Sequence, residues 1–152
     1  MFDLLVLKRD VINIIFLNTA FWLLFRNIIG GIGFISISSQ YPEKSSTYQI
    51  LIQIMPLYLW GLLMIVSAFL FGLTFLVFLL NQDYFYVING MAGLFGSIVW
   101  GMYAASSLAA AIEETETFSV HSWGYALTTF VHLSMLILAV AILWQKKTIK
   151  TI

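Results

Sequence analysis

The chain has 152 residues, of which 61% are hydrophobic and only 9% are charged, and its mean hydropathy is +0.97. Soluble domains carry roughly 25% charged residues, and a chain this short has too little interior to hide so much apolar surface from water. The composition therefore excludes an ordinary soluble domain and predicts a single transmembrane domain over residues 1–152. A formal net charge of zero argues against a nucleic-acid partner, and the lack of cysteine excludes disulfides and thiolate sites.

The first apolar stretch begins at Val11 and reaches about residue 29, which is long enough to span a bilayer. Gly30, Gly31 and Gly33 follow, and we expect the helix to bend or fray there. Acidic and basic residues precede the stretch, and no small-residue cleavage site follows a short apolar core. We therefore expect this helix to remain in the mature protein.

The second apolar stretch, residues 50–80, is too long for one perpendicular span. Pro56 is expected to break it, because proline removes a backbone donor and clashes with the preceding turn. Residues 49–55 would then form an interfacial turn before the span. With two later apolar stretches, the sequence predicts an all-α, integral membrane four-helix bundle whose spans cover about 11–29, 56–80, 87–112 and 122–144.

The basic residues beside the spans predict the orientation of the bundle. One side carries Lys8 and Arg9 together with the lysines of the C-terminal tail at 146, 147 and 150. The other side carries Lys44 and, at its boundary, Arg26. Since Lys and Arg are enriched in cytoplasmic segments, we expect both termini in the cytoplasm of a multi-pass cell-membrane protein.

The third span contains a ridge of small residues at every fourth position: Gly93, Ser97, Gly101, Ala105 and Ala109. Small side chains let helix backbones approach closely, which promotes helix association in lipid. The ridge can serve packing inside one bundle, which we favour, or self-association of copies into a homo-oligomer. The spacing alone does not distinguish the two.

His132 lies near the middle of the fourth span, on the same helical face as His121. Ionisable residues inside a membrane are costly and are candidates for function. Three roles are open for His132: a structural hydrogen bond to another helix, proton relay or pore lining, and metal ligation. We favour the first, because no acidic residue lies in any span to accept a proton and no second ligand lies at helical spacing.

Arg26 and two asparagines are the other polar side chains in the first span that we single out. Arg26 can extend along its aliphatic stem to lipid phosphates, or it can pair with a carboxylate of the acidic segment at Glu113, Glu114 or Glu116. Asn13 and Asn18 are of the kind that hydrogen-bonds between membrane helices.

Catalysis has little support in this sequence. The spans contain no acidic side chain for an acid–base pair, the serines have no arrangement with histidine and an acid, and no phosphate-binding glycine motif follows a strand. We expect no enzymatic activity, no cofactor and no bound metal, and a lipid bilayer as the main partner.

Three segments carry a resemblance to a known group: Met55–Gly61 (MPLYLWG), Trp100–Leu108 (WGMYAASSL) and Ile142–Lys147 (ILWQKK). Over about residues 50–147, the chain resembles the small multi-spanning membrane proteins encoded by phages and prophages of Gram-positive bacteria. The resemblance implies a role in the phage or host membrane without a defined activity. Holins are similar in their small size and basic cytoplasmic tail, but this chain differs in its four long spans and sizeable outer segment.

Three functions follow as hypotheses. The first is an assembly, exclusion or partner-binding component that acts through helix association. The second is a holin-like pore formed by associated copies. The third is a small transporter or proton-coupled subunit that uses His132.

Overall fold

The computed structural model describes residues 2–38, 45–80, 82–113 and 120–150, with side chains described for 11–38, 45–80, 84–112 and 123–145. All regular structure in these ranges is α-helical. The helices are α1 (Phe2–Ile37), α2 (Ser46–Ile54), α3 (Leu57–Leu80), α4 (Gln82–Glu113) and α5 (Val120–Lys150).

Four of the helices are long and apolar enough to cross a membrane. Their candidate spans are Val11–Ile37, Leu57–Leu80, Tyr84–Ile112 and Trp123–Gln145. The predicted helical bundle with four long apolar helices is thus confirmed for the described residues, and α2 adds a short fifth helix.

The outer surface of the bundle is apolar. In the most hydrophobic 18-residue stretch of each span, only 22–28% of the residues are buried inside the protein. Large side chains face outward instead, among them Leu79, Ile29 and Phe69, which are 82%, 71% and 67% exposed. A surface of this kind is typical of helices that face lipid, so the fold suggests a multi-pass membrane protein.

The helices pack in a simple order. α1 packs along α3, α3 along α4 and α4 along α5, while α2 lies mainly against α4. The backbones of α1 and α5 come close at few points, so these two helices meet chiefly through side chains. The bundle is therefore closely packed on three of its four sides.

Pro56 separates α2 from α3. Met55 has an extended backbone (φ −162°), and its N–H donates to the Leu51 carbonyl at 3.0 Å. The indole Nε1 of Trp60 donates to the Met55 carbonyl at 3.0 Å and so satisfies an acceptor at the break. Residues 46–54 form a helix where we expected an interfacial turn, because the break at the proline leaves the preceding segment free to complete its own hydrogen bonds.

The glycines of α1 do not end the helix, which continues to Ile37. Gly31 instead faces Gly61 of α3, and a Cβ added at Gly61 would lie 2.7 Å from the Gly31 carbonyl oxygen. A Cβ at Gly30 would lie 3.0 Å from the Trp100 ring. The glycine cluster therefore allows close helix packing, which is a different use of the same residues.

The core consists of two apolar clusters with a polar layer between them. One cluster is centred on Phe16, Phe71, Phe85 and Tyr86, and the other on Phe34, Trp60, Met64 and Tyr103. Along α1 and α3, the polar residues Asn27 and Ser67 fall between the residues of the two clusters. His132 of α5 lies at the same level, and all three side chains are fully buried.

Candidate functional site

Asn27 of α1 is the centre of the buried polar layer. The indole Nε1 of Trp100 in α4 donates to its side-chain oxygen at 2.7 Å. Because an indole N–H can only donate, the atom that faces it must be the amide oxygen, and the other end of the side chain is the NH₂ group. That NH₂ group donates to Ser67 Oγ of α3 at 3.0 Å.

Ser67 continues the network to α4. Its hydroxyl accepts the hydrogen bond from Asn27 and donates its own hydrogen to the Ala92 carbonyl at 2.9 Å. Both functions of the hydroxyl are therefore used. Since a buried polar group without a partner is costly in an apolar medium, this pairing lets a serine occupy the core at little expense.

His132 joins α5 to the same asparagine. Its Nε2 lies 3.1 Å from the Asn27 Nδ2, and its Nδ1 lies 2.8 Å from the Thr128 carbonyl oxygen. A carbonyl can only accept, so Nδ1 carries the hydrogen and Nε2 accepts from the second amide hydrogen of Asn27. The neutral imidazole fits both contacts. A protonated ring would present a donor to the Asn27 NH₂ group.

Glycines of α4 make room for His132. A Cβ added at Gly96 would overlap the imidazole ring, with Cδ2 and Nε2 as its nearest atoms. A Cβ at Gly93 would lie 2.7 Å from the His132 backbone oxygen. The ring of Phe71 lies on another side, with its centroid 5.7 Å from that of the imidazole. The histidine is therefore held in one position by packing as well as by hydrogen bonds.

Arg26 lies next to this layer, but no residue of the layer accepts a hydrogen bond from its Nε. Its guanidinium carbon lies 4.9 Å from the centre of the Trp100 ring, in the geometry of a cation–π contact. Its Nε is buried and has no hydrogen-bond partner among the described residues. The two partners proposed from the sequence were lipid phosphate and the acidic segment, and the side chains of Glu113, Glu114 and Glu116 lie outside the described residues.

Three tyrosines form an aromatic cluster beside Trp100. Tyr125 stacks on Trp100 with ring centroids 5.8 Å apart, and its centroid is 4.3 Å from that of Tyr103. The Tyr103 hydroxyl donates to the Tyr48 hydroxyl at 3.4 Å. These contacts connect α2, α4 and α5 on the α2 side of the polar layer.

The predicted small-residue ridge of α4 changes its environment along the helix. Gly93 is buried against α5, and a Cβ at Gly101 would lie 3.4 Å from Thr129 Cγ2, an ordinary contact. Ala105 is exposed, while Ser97 and Ala109 are half-buried. A step of four residues advances about 400° around an α-helix, so the ridge turns by about 40° at each step. Its early residues pack on α5, and Ala105 reaches the outer surface.

The two other asparagines of α1 have different surroundings. Asn13 is buried, and the Tyr86 hydroxyl of α4 donates to its side-chain oxygen at 2.5 Å. Asn18 is exposed and borders a groove of about 460 Å³ between α1 and α5. The side chain of His121 lies outside the described residues. Among the described residues, no three His, Cys, Asp or Glu side chains come together in a group that could hold a metal ion.

Sequence reasoning singled out His132 but not its partners. Asn27, Ser67 and Trp100 lie on three different helices, and Asn27 is 105 positions from His132 in the chain. The available signal was the presence of single polar residues in otherwise apolar spans. Pairing them requires the relative rotation and depth of the helices, which a single sequence does not supply.

Comparison with protein-family models, with curated proteins and with solved structures found no match to this chain. The class of the protein therefore rests on the fold itself. The four long apolar helices, their outward-facing apolar side chains and their buried polar layer are compatible with a small multi-pass helical membrane protein.

Proposed function

We propose that this protein is a non-enzymatic membrane component that acts by binding another transmembrane helix. It would serve as an assembly, exclusion or partner-binding component of a bacterial or phage-infected membrane, with both termini in the cytoplasm. The observation that carries the proposal is the exposure of Ala105, where the small-residue ridge of α4 leaves its contact with α5.

The small side chain of Ala105, in a lipid-facing position, leaves a shallow depression in the surface between larger side chains. The neighbouring exposed residues of α4 include Leu108, which is 46% exposed, and Ile98, which is 49% exposed. A second helix can approach closely at such a place and gain packing contacts that lipid chains make less well. The partner can be a second copy of this chain or a different membrane protein.

The arrangement of His132 supports a structural role over transport. Its two ring nitrogens are each engaged within the bundle, one by Asn27 and one by the Thr128 carbonyl. A relay would need a donor and an acceptor that exchange a proton along a path, whereas these contacts connect the ring to an amide and a helix backbone. We therefore place His132 in the scaffold that holds the helices in register.

The test compares two alanines that are both exposed within spans, Ala105 of α4 and Ala141 of α5. Each is replaced by leucine in the full chain, and association is measured by cross-linking in liposomes and by co-purification from the native membrane. We expect Ala105→Leu to lower the association constant, because its side chain fills the contact, and Ala141→Leu to leave it unchanged. Equal behaviour of both variants would contradict the proposal.

Pore formation is the alternative function, and the same liposomes test it. If liposomes that contain the wild-type protein release a trapped dye, and Ala105→Leu abolishes the release, the associated copies form a pore. The holin-like function would then replace the accessory role. Retention of the dye together with specific association supports the role that we propose.

A further inference from the structure

Arg26 places a positive charge near the middle of the first candidate span. The span runs from Val11 to Ile37, so its midpoint is residue 24, and Arg26 lies two residues or about 3 Å beyond it. Its neighbour Asn27 belongs to the buried layer that holds His132. The nearer end of the span, at Ile37, is eleven residues or about 16 Å away, which is longer than an arginine side chain. The lipid phosphate expected from the sequence is therefore out of reach.

The bundle does not provide a counter-ion for this charge. Arg26 Nε is buried and has no hydrogen-bond partner among the described residues. The ring of Trp100 attracts the cation but does not replace a hydrogen-bond acceptor for the guanidinium. The side-chain oxygens of the adjacent layer are already engaged, since Asn27 accepts from Trp100 and Ser67 accepts from Asn27. An unpaired charge at this depth is costly, so Arg26 requires an anion from elsewhere.

That anion cannot come from the spans of this chain or of a second copy. The four candidate spans contain neither aspartate nor glutamate. The acidic segment begins at Glu113, thirteen residues after Trp100 and therefore about 20 Å farther along α4. Basic side chains inside membranes commonly pair with acidic side chains of neighbouring helices. A carboxylate near the middle of another protein's transmembrane helix matches both the charge and the depth of Arg26, and it can form two parallel hydrogen bonds with a guanidinium.

The surface next to Arg26 has room for such a helix. The backbones of α1 and α5 come close at few points, and a groove of about 460 Å³ lies between these helices. Arg26 does not line the groove, but Trp22 does, and it lies one turn before Arg26 on the same face of α1. Phe21 and Phe25, which also line the groove, are 54% and 49% exposed. Arg26 itself is half-buried, so part of it is accessible to a helix that follows the groove for one turn more.

We propose that Arg26 binds a transmembrane helix of a different membrane protein, one that carries an aspartate or glutamate near its centre. This helix lies along the groove between α1 and α5. The apolar groove provides packing contacts that many helices can make, whereas the ion pair selects a helix with an acid at the correct depth. Binding also removes the cost of the unpaired charge, so the affinity depends strongly on the acid.

Binding at Arg26 rests on the proposed function only in that the partner is a transmembrane helix, and it uses a different surface. Arg26 belongs to α1 and the groove lies between α1 and α5, whereas Ala105 lies on the outer face of α4. Ala105→Leu is therefore expected to leave binding at Arg26 unchanged. The proposed function fails if Ala105→Leu and Ala141→Leu behave alike, whereas binding at Arg26 fails if an acidic helix has no advantage over a neutral one.

The probes are designed transmembrane peptides of alanine and leucine, with lysines at both ends and aspartate, asparagine or leucine at the centre. Their association with the full chain in liposomes is measured by energy transfer from a fluorophore on a single cysteine at Thr148, since the chain has no native cysteine. We expect the aspartate peptide to bind the wild type roughly tenfold or more tightly than the asparagine or leucine peptide, because it forms a charge-assisted pair. A peptide with its aspartate one turn from the end should bind no better than the leucine peptide. Equal binding of the aspartate and asparagine peptides would overturn the proposal.

Two variants of Arg26 test whether this residue causes the preference. Arg26→Met removes the charge and keeps an apolar stem, so the preference for aspartate should disappear. The same variant should unfold at a higher concentration of denaturing detergent than the wild type, because a costly unpaired charge is removed. Arg26→Lys keeps the charge without the paired geometry and should retain a reduced preference. A full preference in Arg26→Met, or a lower stability of this variant than of the wild type, would show that the acid binds elsewhere or that the bundle itself satisfies Arg26.

The acidic segment supplies the remaining control. In the triple variant Glu113→Gln, Glu114→Gln and Glu116→Gln, the preference for the aspartate peptide should persist at its wild-type size. A preference that first appears in this variant and is absent from the wild type would show that these carboxylates occupy Arg26. That result would overturn the partner site in the native chain.

Discussion

Replacement of Gly96 by alanine should destabilise the bundle, although alanine is the better helix former. The added methyl would overlap the imidazole of His132, which Asn27 holds at 3.1 Å and the Thr128 carbonyl holds at 2.8 Å. Overpacking of a dense core typically costs about 1–3 kcal/mol. Displacement of the ring would also weaken two hydrogen bonds, at about 0.6 kcal/mol each in a membrane protein.

The gain in helix propensity from glycine to alanine is about 1 kcal/mol and opposes these costs. The net loss in the free energy of unfolding for Gly96→Ala is therefore expected to be about 1–3 kcal/mol. Gly101→Ala is the matched control on the same helix. Its methyl would meet Thr129 Cγ2 at 3.4 Å, so stability should be unchanged or raised by up to about 1 kcal/mol.

The measurement is reversible unfolding of both variants and the wild type in mixed micelles, followed by circular dichroism as denaturing detergent is added. A Gly96→Ala protein as stable as Gly101→Ala would refute the reasoning. The His132 ring would then have room to move, and the buried polar layer would not fix the position of α5.

Two other predictions concern the central histidine and the topology. His132→Gln should retain most of the stability, because an amide can still form a hydrogen bond with Asn27. His132→Leu should lower the free energy of unfolding by about 1–3 kcal/mol, because the buried asparagine donor is left unpaired. The same detergent titration measures both variants, and equal losses of stability would contradict the structural role. Single cysteines at Ser45 and Thr148 test the orientation in intact cells, since the chain has no native cysteine. An impermeant thiol reagent should label the first and not the second, and the reverse pattern would invert the topology.

The coarse fold followed from composition and the length of the apolar stretches. A chain with this hydropathy has few ways to satisfy its backbone in lipid other than helices, so four long apolar helices could be predicted from the sequence. Pro56 marked the break between α2 and α3 because proline acts locally, through its own ring and its missing N–H. Features that depend on one residue and its immediate neighbours were accessible in this way.

Features that depend on the relative rotation of helices could not be predicted from the sequence. The glycines of α1 suggested a helix end, yet Gly31 packs on Gly61 of a helix about thirty positions later. The small residues from Gly93 to Ala109 predict one stripe along a single face of α4. Because they recur at every fourth position, however, the stripe rotates around the helix, from α5 at Gly93 to the outer surface at Ala105. A single sequence gives the spacing of such residues and leaves their partners open.

The candidate site shows the same limit. His132 was recognisable because a histidine in an apolar span is conspicuous, and a hydrogen bond to a neighbouring helix was expected. Asn27 is the partner, and its role depends on three contacts with Trp100, Ser67 and His132 that converge from three helices. These three contacts depend on the depth and rotation of each helix in the bundle, so they could be identified only from the fold.

Insertion of the bundle into a bilayer is the claim on which the rest of this account depends, and one residue tests it directly. Phe69 lies near the middle of α3 and is 67% exposed on the outside of the bundle. A spin label on a single cysteine at this position, in liposomes, should relax readily with lipid-soluble oxygen and hardly at all with a water-soluble nickel complex. Strong relaxation by the nickel complex would place Phe69 in water and contradict the membrane-spanning bundle.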